Sequence, residues 1–390
     1  MNIDNGRQLK LLIVCSTLDL DYPYGATPAI WQMLKGLYEV GCDTIVIPYR
    51  GKSVRTPWWR AYPNPISTYG EFYARMHVYT KFFSRLHKTT NGEAFPQLAR
   101  TLTARNWRRI FNKILEKEKE IDAVMFVGVP LNQLTGLATY VKGMFDCPVI
   151  YYDLDVPTSL PKYGGFSFNY YIGANLSEYD AIVTPSEGVS AELMQLGAKR
   201  IFIVHFGVDP DLYLPIKTRQ DIDVFFYATN DRNREKSISM MITEPSLKLE
   251  ADFLVSGVSY SVDLGNAKKI SMLPFSLWRS YAARSKINLN IPRENHANTY
   301  ATSTSRPFEL AAMESCIVSS PYNGLDKWFR TGEEIFVANS SKEATELYTW
   351  LINDEDLRRK VALKARKRVL EEHTFRQRAK DILEIFDKLK

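Results

Sequence analysis

Short apolar runs alternate with helix-like patterns along most of the chain. Runs of four to eight residues rich in Val, Ile and Leu are typical of strands buried on both faces, and helical spacing between them is typical of parallel βαβ units. The pattern predicts a doubly wound sheet over about the first 200 residues. Its predicted strands are 11–15, 44–48, 123–127, 149–152, 181–184 and 201–204, and its predicted helices are 30–40, 72–86, 95–119 and 189–196.

A second, smaller series of the same kind follows. Its predicted strands are 224–227, 253–256, 287–291, 317–319 and 335–337, with a helix at 307–313 and a charged helical tail at 357–390. Between the two series lies GVDPDLYLP, residues 207–215, whose two prolines mark a boundary. We therefore predict an α/β protein with two Rossmann-like, doubly wound parallel-sheet domains, 1–207 and 208–375, that face a central cleft. The last helix, 376–390, is predicted to pack back on the first domain.

Length and composition are those of a globular chain with two domains. The 390 residues are 45% hydrophobic and 24% charged. The sequence contains no apolar run long enough to span a membrane and does not begin like a secretory signal peptide. Cys15, Cys42, Cys147 and Cys316 are far apart, which argues against a disulfide framework or a zinc site and favours a reducing, cytoplasmic location.

Several nucleotide-dependent classes lose support because their phosphate-binding loops are missing. The first βα loop contains Gly25 but no GxGxxG, which argues against a dinucleotide-dependent dehydrogenase. GxxxxGK[ST] is also absent, as are the HExxH and GxSxG motifs. The site must therefore be inferred from other segments.

Positive charge is concentrated in residues 50–119, which contain 15 Lys/Arg and 4 Asp/Glu in a chain whose net charge is +6. Tryptophans, tyrosines and phenylalanines are interleaved with these basic residues. An anionic membrane surface or a lipid-linked acceptor is one interpretation, and a solvated helical face with its aromatic residues packed inward is the other. Nucleic acid is not expected as a partner.

Three segments in order resemble one family. YDAIVTPSEGVSAELMQLGAKRIFIVHFGVDPDLYLP, residues 179–215, resembles the end of the N-terminal domain of GT-B glycosyltransferases, especially of the retaining GT4 type. SKINLNIPRENHANTYATSTSRPFELAAMES, residues 285–315, resembles the donor-site segment of their CgeB-like branch, with its Arg-x-Phe-Glu core. EHTFRQRAKDIL, residues 372–383, is similar to the closing helix of that branch. The resemblance covers the chain from about residue 123 onward.

The resemblance implies a GT-B fold and transfer of a sugar from a nucleotide-diphosphate sugar to a glycan or lipid-linked acceptor. It further implies retention of configuration. Since the sequence contains no metal-ligand cluster, neither a metal nor another cofactor is expected. The cysteine usage favours a cytoplasmic enzyme, and the basic segment 50–119 suggests a peripheral position at the inner face of the membrane. A nucleotide-sugar epimerase on the same fold and a catalytically silent glycan- or membrane-binding module remain as alternatives.

The resemblance also assigns the donor side. Glu309 is expected to accept hydrogen bonds from both ribose hydroxyls, although an acidic residue in the first turn of a helix has a structural explanation as well. Phe308 shares its motif, and Ser305 begins the helix whose amides face the diphosphate. Arg306 either reaches phosphate or pairs with a neighbouring carboxylate. The family's commoner Glu-x7-Glu pattern is incomplete, because position 301 is Ala.

Cations that stabilise the leaving diphosphate are expected in DRNREK, residues 231–236, where Arg232, Arg234 and Lys236 stay equivalent candidates. On the acceptor side, Asp155 of YDLDVP either holds a sugar hydroxyl, acts as a base, or makes an Asx-turn at the end of its strand. Gly25 is small enough for the donor to approach the backbone. No metal ligands are predicted.

Overall fold

A computed structural model describes residues 8–19, 28–66, 94–163, 170–228, 232–257 and 260–390. The chain divides into two compact units. The first contains residues up to 204 together with 378–390, and the second contains residues 205–377. Within the described ranges, no helix is both long enough and apolar enough to cross a membrane.

In the part of the first unit that the structure describes, seven parallel strands form one sheet in the order β3-β2-β1-β4-β5-β6-β7. β1 lies at the centre, where Leu12 pairs with Ile45 of β2 on one side and with Val124 of β4 on the other. These side chains have no exposed surface, as expected for strands covered on both faces. The strands are β1 (Lys10–Thr17), β2 (Asp43–Arg50), β3 (Arg60–Ala61), β4 (Ala123–Val127), β5 (Val149–Tyr152), β6 (Ala181–Thr184) and β7 (Ile201–Ile203).

Helices connect these strands in the doubly wound manner. Trp107 and Phe111 of the longest helix are fully buried, and their rings stack with centroids 5.9 Å apart. The α-helices described in this unit are Pro28–Glu39, Ala94–Glu118, Leu137–Phe145 and Ser190–Gln195, with most of Phe375–Leu389 added from the end of the chain.

The second unit repeats the plan with six parallel strands in the order β10-β9-β8-β11-β12-β13. β8 and β11 are neighbours at its centre although their connections leave in opposite directions, so their carboxyl ends form the topological switch point. The strands are β8 (Ile222–Tyr227), β9 (Phe253–Ser256), β10 (Lys268–Ile270), β11 (Ser285–Asn290), β12 (Ile317–Ser319) and β13 (Phe336–Val337).

The charged tail consists of two helices, and the second of them agrees with the last helix predicted at 376–390. The helix Glu355–Glu372 has His373 as its C-cap residue, and the helix Phe375–Leu389 starts directly after Thr374. The amide of Thr374 donates to Oε1 of Gln377 at 2.6 Å, and the amide of Gln377 donates to Oγ1 of Thr374 at 3.3 Å. This reciprocal capping box starts a new helix and explains the break. The other α-helices described in the second unit are Glu235–Ile238, Glu244–Lys248, Phe275–Ala283, Glu294–Asn298, Ser305–Ala312 and Ser341–Asn353.

Most predicted strands form within two residues of their expected bounds. The predicted helix at 72–86 lies outside the described residues. The structure adds elements that the apolar pattern did not predict, because they are short or carry mixed polar residues: β3, β10, and the helices Leu137–Phe145, Phe275–Ala283 and Ser341–Asn353.

Candidate functional site

The helix Ser305–Ala312 carries the predicted donor motif and lies between β11 and β12 in the chain. Pro307 fits its first turn, where a backbone N–H has no partner inside the helix. The side chain of Thr304, the N-cap residue, makes no capping hydrogen bond, and Ser305 is partly exposed at the first position. From Pro307 onward the helix is buried, so it is anchored firmly in the second unit.

Glu309 is a buried carboxylate with two defined neighbours. The hydroxyl of Tyr213 donates to its Oε1 at 2.9 Å, and Nη1 of Arg306 lies 3.4 Å from its Oε2. Burial, followed by the charge of Glu309, raises the pKa of Tyr213 well above its usual value, so the phenol stays a neutral donor. Each carboxylate oxygen keeps a lone pair for a further donor. Arg306 thus makes the carboxylate contact that the sequence left as one of two possibilities.

The guanidinium of Arg306 also lies against an aromatic pair. Its central carbon is 4.2 Å from the ring centroid of Trp278 and 4.9 Å from that of Tyr227. The two rings stack on each other, with centroids 5.5 Å apart and an interplanar angle of 13°. A cation over a desolvated indole is held by electrostatic attraction in addition to contact. These rings therefore fix the direction in which Arg306 meets Glu309.

Arg234 lies at the switch point of the second sheet. It follows β8, and its Nε donates at 2.9 Å to the carbonyl of Ile291, which directly follows β11. Lys236 is exposed on the short helix that comes next. The backbone of Arg232 belongs to a 3-10 turn, but its side chain lies outside the described residues. The structure therefore ties one of the three predicted cations to the strand ends where ligands bind in open α/β sheets.

A buried histidine accompanies Arg234. His296 lies on the helix Glu294–Asn298, and its amide donates at 2.9 Å to the carbonyl of Arg293. Burial, followed by the charges of Arg293 and Arg234, lowers the pKa of His296 to about 3. The imidazole is neutral at physiological pH, and two guanidinium charges are gathered close to it.

Phe308 and position 301 are packed inside the second unit. The ring of Phe308 is fully buried against Trp328, Phe329 and His373, which is the environment of a core side chain. Ala301, which stands where the commoner family pattern has Glu, is also fully buried and has a positive φ of 46°. In the next residues Ser303 accepts a hydrogen bond from the amide of Phe206 at 2.8 Å.

In the first unit, Asp153 rather than Asp155 makes the turn at the end of β5. The amide of Asp155 donates to Oδ1 of Asp153 at 2.8 Å, and the hydroxyls of Ser159 and Tyr171 donate to Oδ2. Asp153 is buried, and this desolvation raises its pKa even though its hydrogen bonds favour the charged form. The side chain of Asp155 is partly exposed. Its role in binding the sugar acceptor stays a prediction. Gly25 lies outside the described residues.

Sequence reasoning missed Tyr213, Trp278, Arg293 and His296. Tyr213 was included in the boundary segment, and Trp278 fell in a stretch with no predicted element. Their contacts with Glu309 and Arg306 are tertiary, so no local spacing indicates them. Arg293 and His296 are in the quoted donor-like segment, where their closeness to Arg234 appears only once β8 and β11 are paired.

Comparison with known proteins finds a family match for part of the chain and similar folds for nearly all of it. Residues 236–384 match the model of a family described as glycosyl transferase-like. Sucrose-phosphate synthase from Thermosynechococcus elongatus is similar over 98% of this chain and 99% of its own, with a TM-score of 0.65 and 12% identity. A glycosyltransferase from Rickettsia africae is similar over 98% of both chains, with a TM-score of 0.60 and 13% identity. A search of curated proteins returns no significant relative.

A third similar structure is Anabaena HepE in complex with UDP and glucose. It has a TM-score of 0.63 and 10% identity, over 98% of this chain and 100% of that one. At such identities the likeness establishes the fold, which is GT-B. Residues 236–384 match the glycosyl transferase-like family, and together with the fold this match confirms the recognition, the fold class and the enzyme class predicted from the sequence.

Proposed function

We propose that this chain transfers a sugar from a nucleotide-diphosphate sugar to an acceptor, and that its second unit binds the donor. The proposal depends on the environment of Glu309. It is a buried carboxylate held by Tyr213 and Arg306, within the region that matches the glycosyl transferase-like family. The similar Anabaena HepE is described in complexes with UDP and glucose and with UDP-glucose, which supports a donor of this chemical class.

Glu309 binds the ribose in this proposal. A carboxylate accepts charge-assisted hydrogen bonds, and its two oxygens suit two adjacent hydroxyls. The diphosphate is placed near the first turn of the helix Ser305–Ala312 and near Arg234, where unpaired amides and a cation stabilise negative charge. Arg232 and Lys236 are further candidates for this contact. As the bond from the anomeric carbon to the diphosphate breaks, charge develops on the leaving oxygen, and these groups stabilise it.

We propose retention of configuration and independence from metal on the basis of the family resemblance. The acceptor oxygen then bonds to the anomeric carbon on the face that the diphosphate leaves, and a phosphate oxygen takes the acceptor's proton. Asp155 is assigned to the acceptor side, where its carboxylate accepts a hydrogen bond from an acceptor hydroxyl. Among the described residues, no three His, Cys, Asp or Glu side chains converge to a metal-binding group.

The test is nucleotide binding measured by thermal shift with UDP, GDP and ADP, comparing the intact chain with Glu309→Gln. A ligand that binds only the folded state raises the melting midpoint by mass action, so the shift should be present in the intact chain and strongly reduced in the variant. Glu334→Gln is the matched control, because Glu334 is a buried carboxylate of the same unit that accepts from the amide of Arg330 at 2.8 Å. No shift with any nucleotide would contradict the proposal.

A second assay separates transfer from epimerisation. A transferase releases nucleoside diphosphate in proportion to added acceptor, whereas an epimerase changes the donor sugar without an acceptor. Release of UDP from UDP-glucose that is unchanged by every acceptor tried, together with conversion of the sugar, would favour the epimerase.

We also propose a cytoplasmic enzyme whose lipid-linked acceptor is reached at an anionic membrane surface. The helix Ala94–Glu118 exposes Arg105, Arg108, Arg109 and Lys113, while its Trp107 is fully buried. The surface charge therefore supports docking, and the buried aromatic residue belongs to the core. Basic residues attract anionic lipid by about 1 kcal/mol each, and salt screens this attraction.

Sedimentation with phosphatidylserine-containing vesicles tests this docking. Combined replacement of Arg105, Arg109 and Lys113 by Gln should abolish salt-sensitive binding. A matched triple replacement of the exposed Lys342, Lys360 and Lys367 of the second unit should preserve it. Equal binding by both variants would contradict the proposal.

A further inference from the structure

The carboxylate of Glu309 is held from two sides by one connected set of side chains. We call Tyr213, Arg306 and Trp278 the carboxylate clamp. Tyr213 donates to Oε1, Arg306 approaches Oε2, and Trp278 lies under the guanidinium of Arg306. Tyr213 has no exposed surface and Trp278 is 3% exposed, so both are fixed by packing.

Trp278 and the next residue, Arg279, together position the other two residues of the clamp. The ring of Trp278 contacts that of Tyr213, with centroids 6.0 Å apart. Arg279, next on the same helix, donates to the carbonyl of Leu212. The amide of Tyr213 donates at 3.1 Å to the carbonyl of Asp209, which closes a turn directly before the tyrosine. The phenol and the guanidinium are therefore positioned by the same helix, Phe275–Ala283.

The two contacts leave the carboxylate a single favourable orientation. An ionised carboxylate has about four acceptor positions. The hydroxyl of Tyr213 occupies one on Oε1, and the guanidinium of Arg306 attracts Oε2 as an ion pair at 3.4 Å. Rotation of the carboxylate plane would break the bond from Tyr213 and weaken the contact with Arg306 together. The unused lone pairs consequently point in fixed directions, which a pair of adjacent hydroxyl donors can match.

We propose that Tyr213 and Arg306 are positioning residues that aim Glu309 at both ribose hydroxyls, and that the clamp thereby sets the preference for ribonucleotides over 2′-deoxyribonucleotides. This inference rests on the proposed function, since it requires a nucleoside diphosphate at Glu309. A residue that only stabilised the unit would change the affinity for both nucleotides by the same factor. The ratio of the two affinities therefore reports orientation specifically.

The experiment is isothermal titration of the intact chain with UDP and 2′-deoxy-UDP, and with GDP and 2′-deoxy-GDP. The deoxynucleotide lacks the hydrogen bond from the 2′-hydroxyl to the charged carboxylate of Glu309. We therefore expect the unmodified chain to prefer the ribonucleotide roughly tenfold. Tyr213→Phe keeps the ring against Trp278 and removes the donor. We expect the variant to lose affinity for the ribonucleotide and to retain most of its affinity for the deoxynucleotide, so that the preference falls to about threefold or less.

Tyr348→Phe is the matched control. Tyr348 is fully buried in the same unit, and its hydroxyl donates at 2.9 Å to the carbonyl of Met241 instead of to a carboxylate. This variant should keep the tenfold preference. Arg306→Gln tests the other arm of the clamp independently and should lower the preference as Tyr213→Phe does, which keeps the test available if one variant fails to fold.

Each outcome has a separate meaning. A preference that is unchanged in both Tyr213→Phe and Arg306→Gln would overturn the inference and leave the proposed function intact. Equal affinity of the unmodified chain for UDP and 2′-deoxy-UDP would also overturn it, because Glu309 would then not bind both hydroxyls. Failure to bind any of the four nucleotides, together with no thermal shift by ADP, would overturn the proposed function itself.

Discussion

His296 is a buried histidine whose protonation opposes folding. Its side chain lies near Arg293 and Arg234, and burial together with these charges lowers its pKa to about 3. In the unfolded chain the pKa is about 6.5. The unfolded state therefore takes up a proton at mildly acidic pH, and the folded state does not. As a result, the free energy of unfolding falls as the pH decreases from about 6.5 towards about 3.

The magnitude follows from the two pKa values. One unit of difference corresponds to about 1.4 kcal/mol, so this group costs about 2 kcal/mol of stability between pH 7 and pH 5. His296→Gln removes the titration, and its stability should decrease by about 2 kcal/mol less than that of the unmodified chain over the same interval. Native-state hydrogen exchange on the amides of β11, corrected for intrinsic exchange at each pH, measures the local stability next to His296.

The exchange measurement is preferable to a single unfolding curve, because a chain with two compact units need not unfold in one step. Asn298→Ala is the control, since Asn298 is an exposed, non-titrating residue of the same helix. It should keep the pH dependence of the unmodified chain. The reasoning would be refuted by the same loss of stability between pH 7 and pH 5 in His296→Gln and in the unmodified chain.

Three further variants test the packing around the site and in the first sheet. Gly324→Ala should lower the melting midpoint through a loss of about 2 kcal/mol, because Gly324 has a φ of +86° and an added Cβ would lie 2.7 Å from the amide nitrogen of Ala301; an unchanged midpoint would contradict this. Phe308→Ala should cost about 3–5 kcal/mol in denaturant unfolding, as for other fully buried rings, and a loss below about 1 kcal/mol would be inconsistent with a core role. Glu118→Gln should reduce the loss of stability in acid. Burial disfavours the charge of Glu118, but the hydrogen bonds from Arg60 at 2.6 Å and Tyr62 at 3.1 Å outweigh it and lower its pKa. The contribution of this carboxylate is therefore present above its unfolded pKa of about 4.3 and lost as the pH falls further, and equal acid sensitivity of variant and parent would argue against it.

The interior strands of both sheets could be predicted from the sequence because they are buried on both faces. β4, β5, β6, β9 and β12 have the predicted bounds, since short runs of β-branched and aromatic residues leave few alternatives. Of the four edge strands described, β7 and β13 were predicted and β3 and β10 were not. The residues of β3 and β10 are exposed or partly exposed, so pairing with a neighbour decides their conformation. Local composition carries little information about such strands.

The candidate site was predictable to the extent that it is local in sequence. Arg306 and Glu309 lie three residues apart in one motif, and their contact follows from helical geometry. Tyr213 lies 96 residues before Glu309, and its contact depends on the packing of the helix that carries Trp278. The tail was correctly predicted as helical, with a last helix at 376–390. Its continuous charge pattern does not locate the break, because the capping box at Thr374 and Gln377 acts only on the backbone of one turn.

The helix Phe375–Leu389 has a consequence for the order in which the protein is assembled. Its residues from Arg378 onward belong to the first unit, although the whole second unit is synthesised before them. The residues of the seven-stranded sheet therefore leave the ribosome long before the segment that contains Ile382, Ile385 and Phe386. These three side chains are buried in the finished chain. The first unit therefore stays incomplete until the second unit has been translated. A gene fragment that stops at residue 204 therefore encodes the seven-stranded sheet without the C-terminal segment that completes its unit.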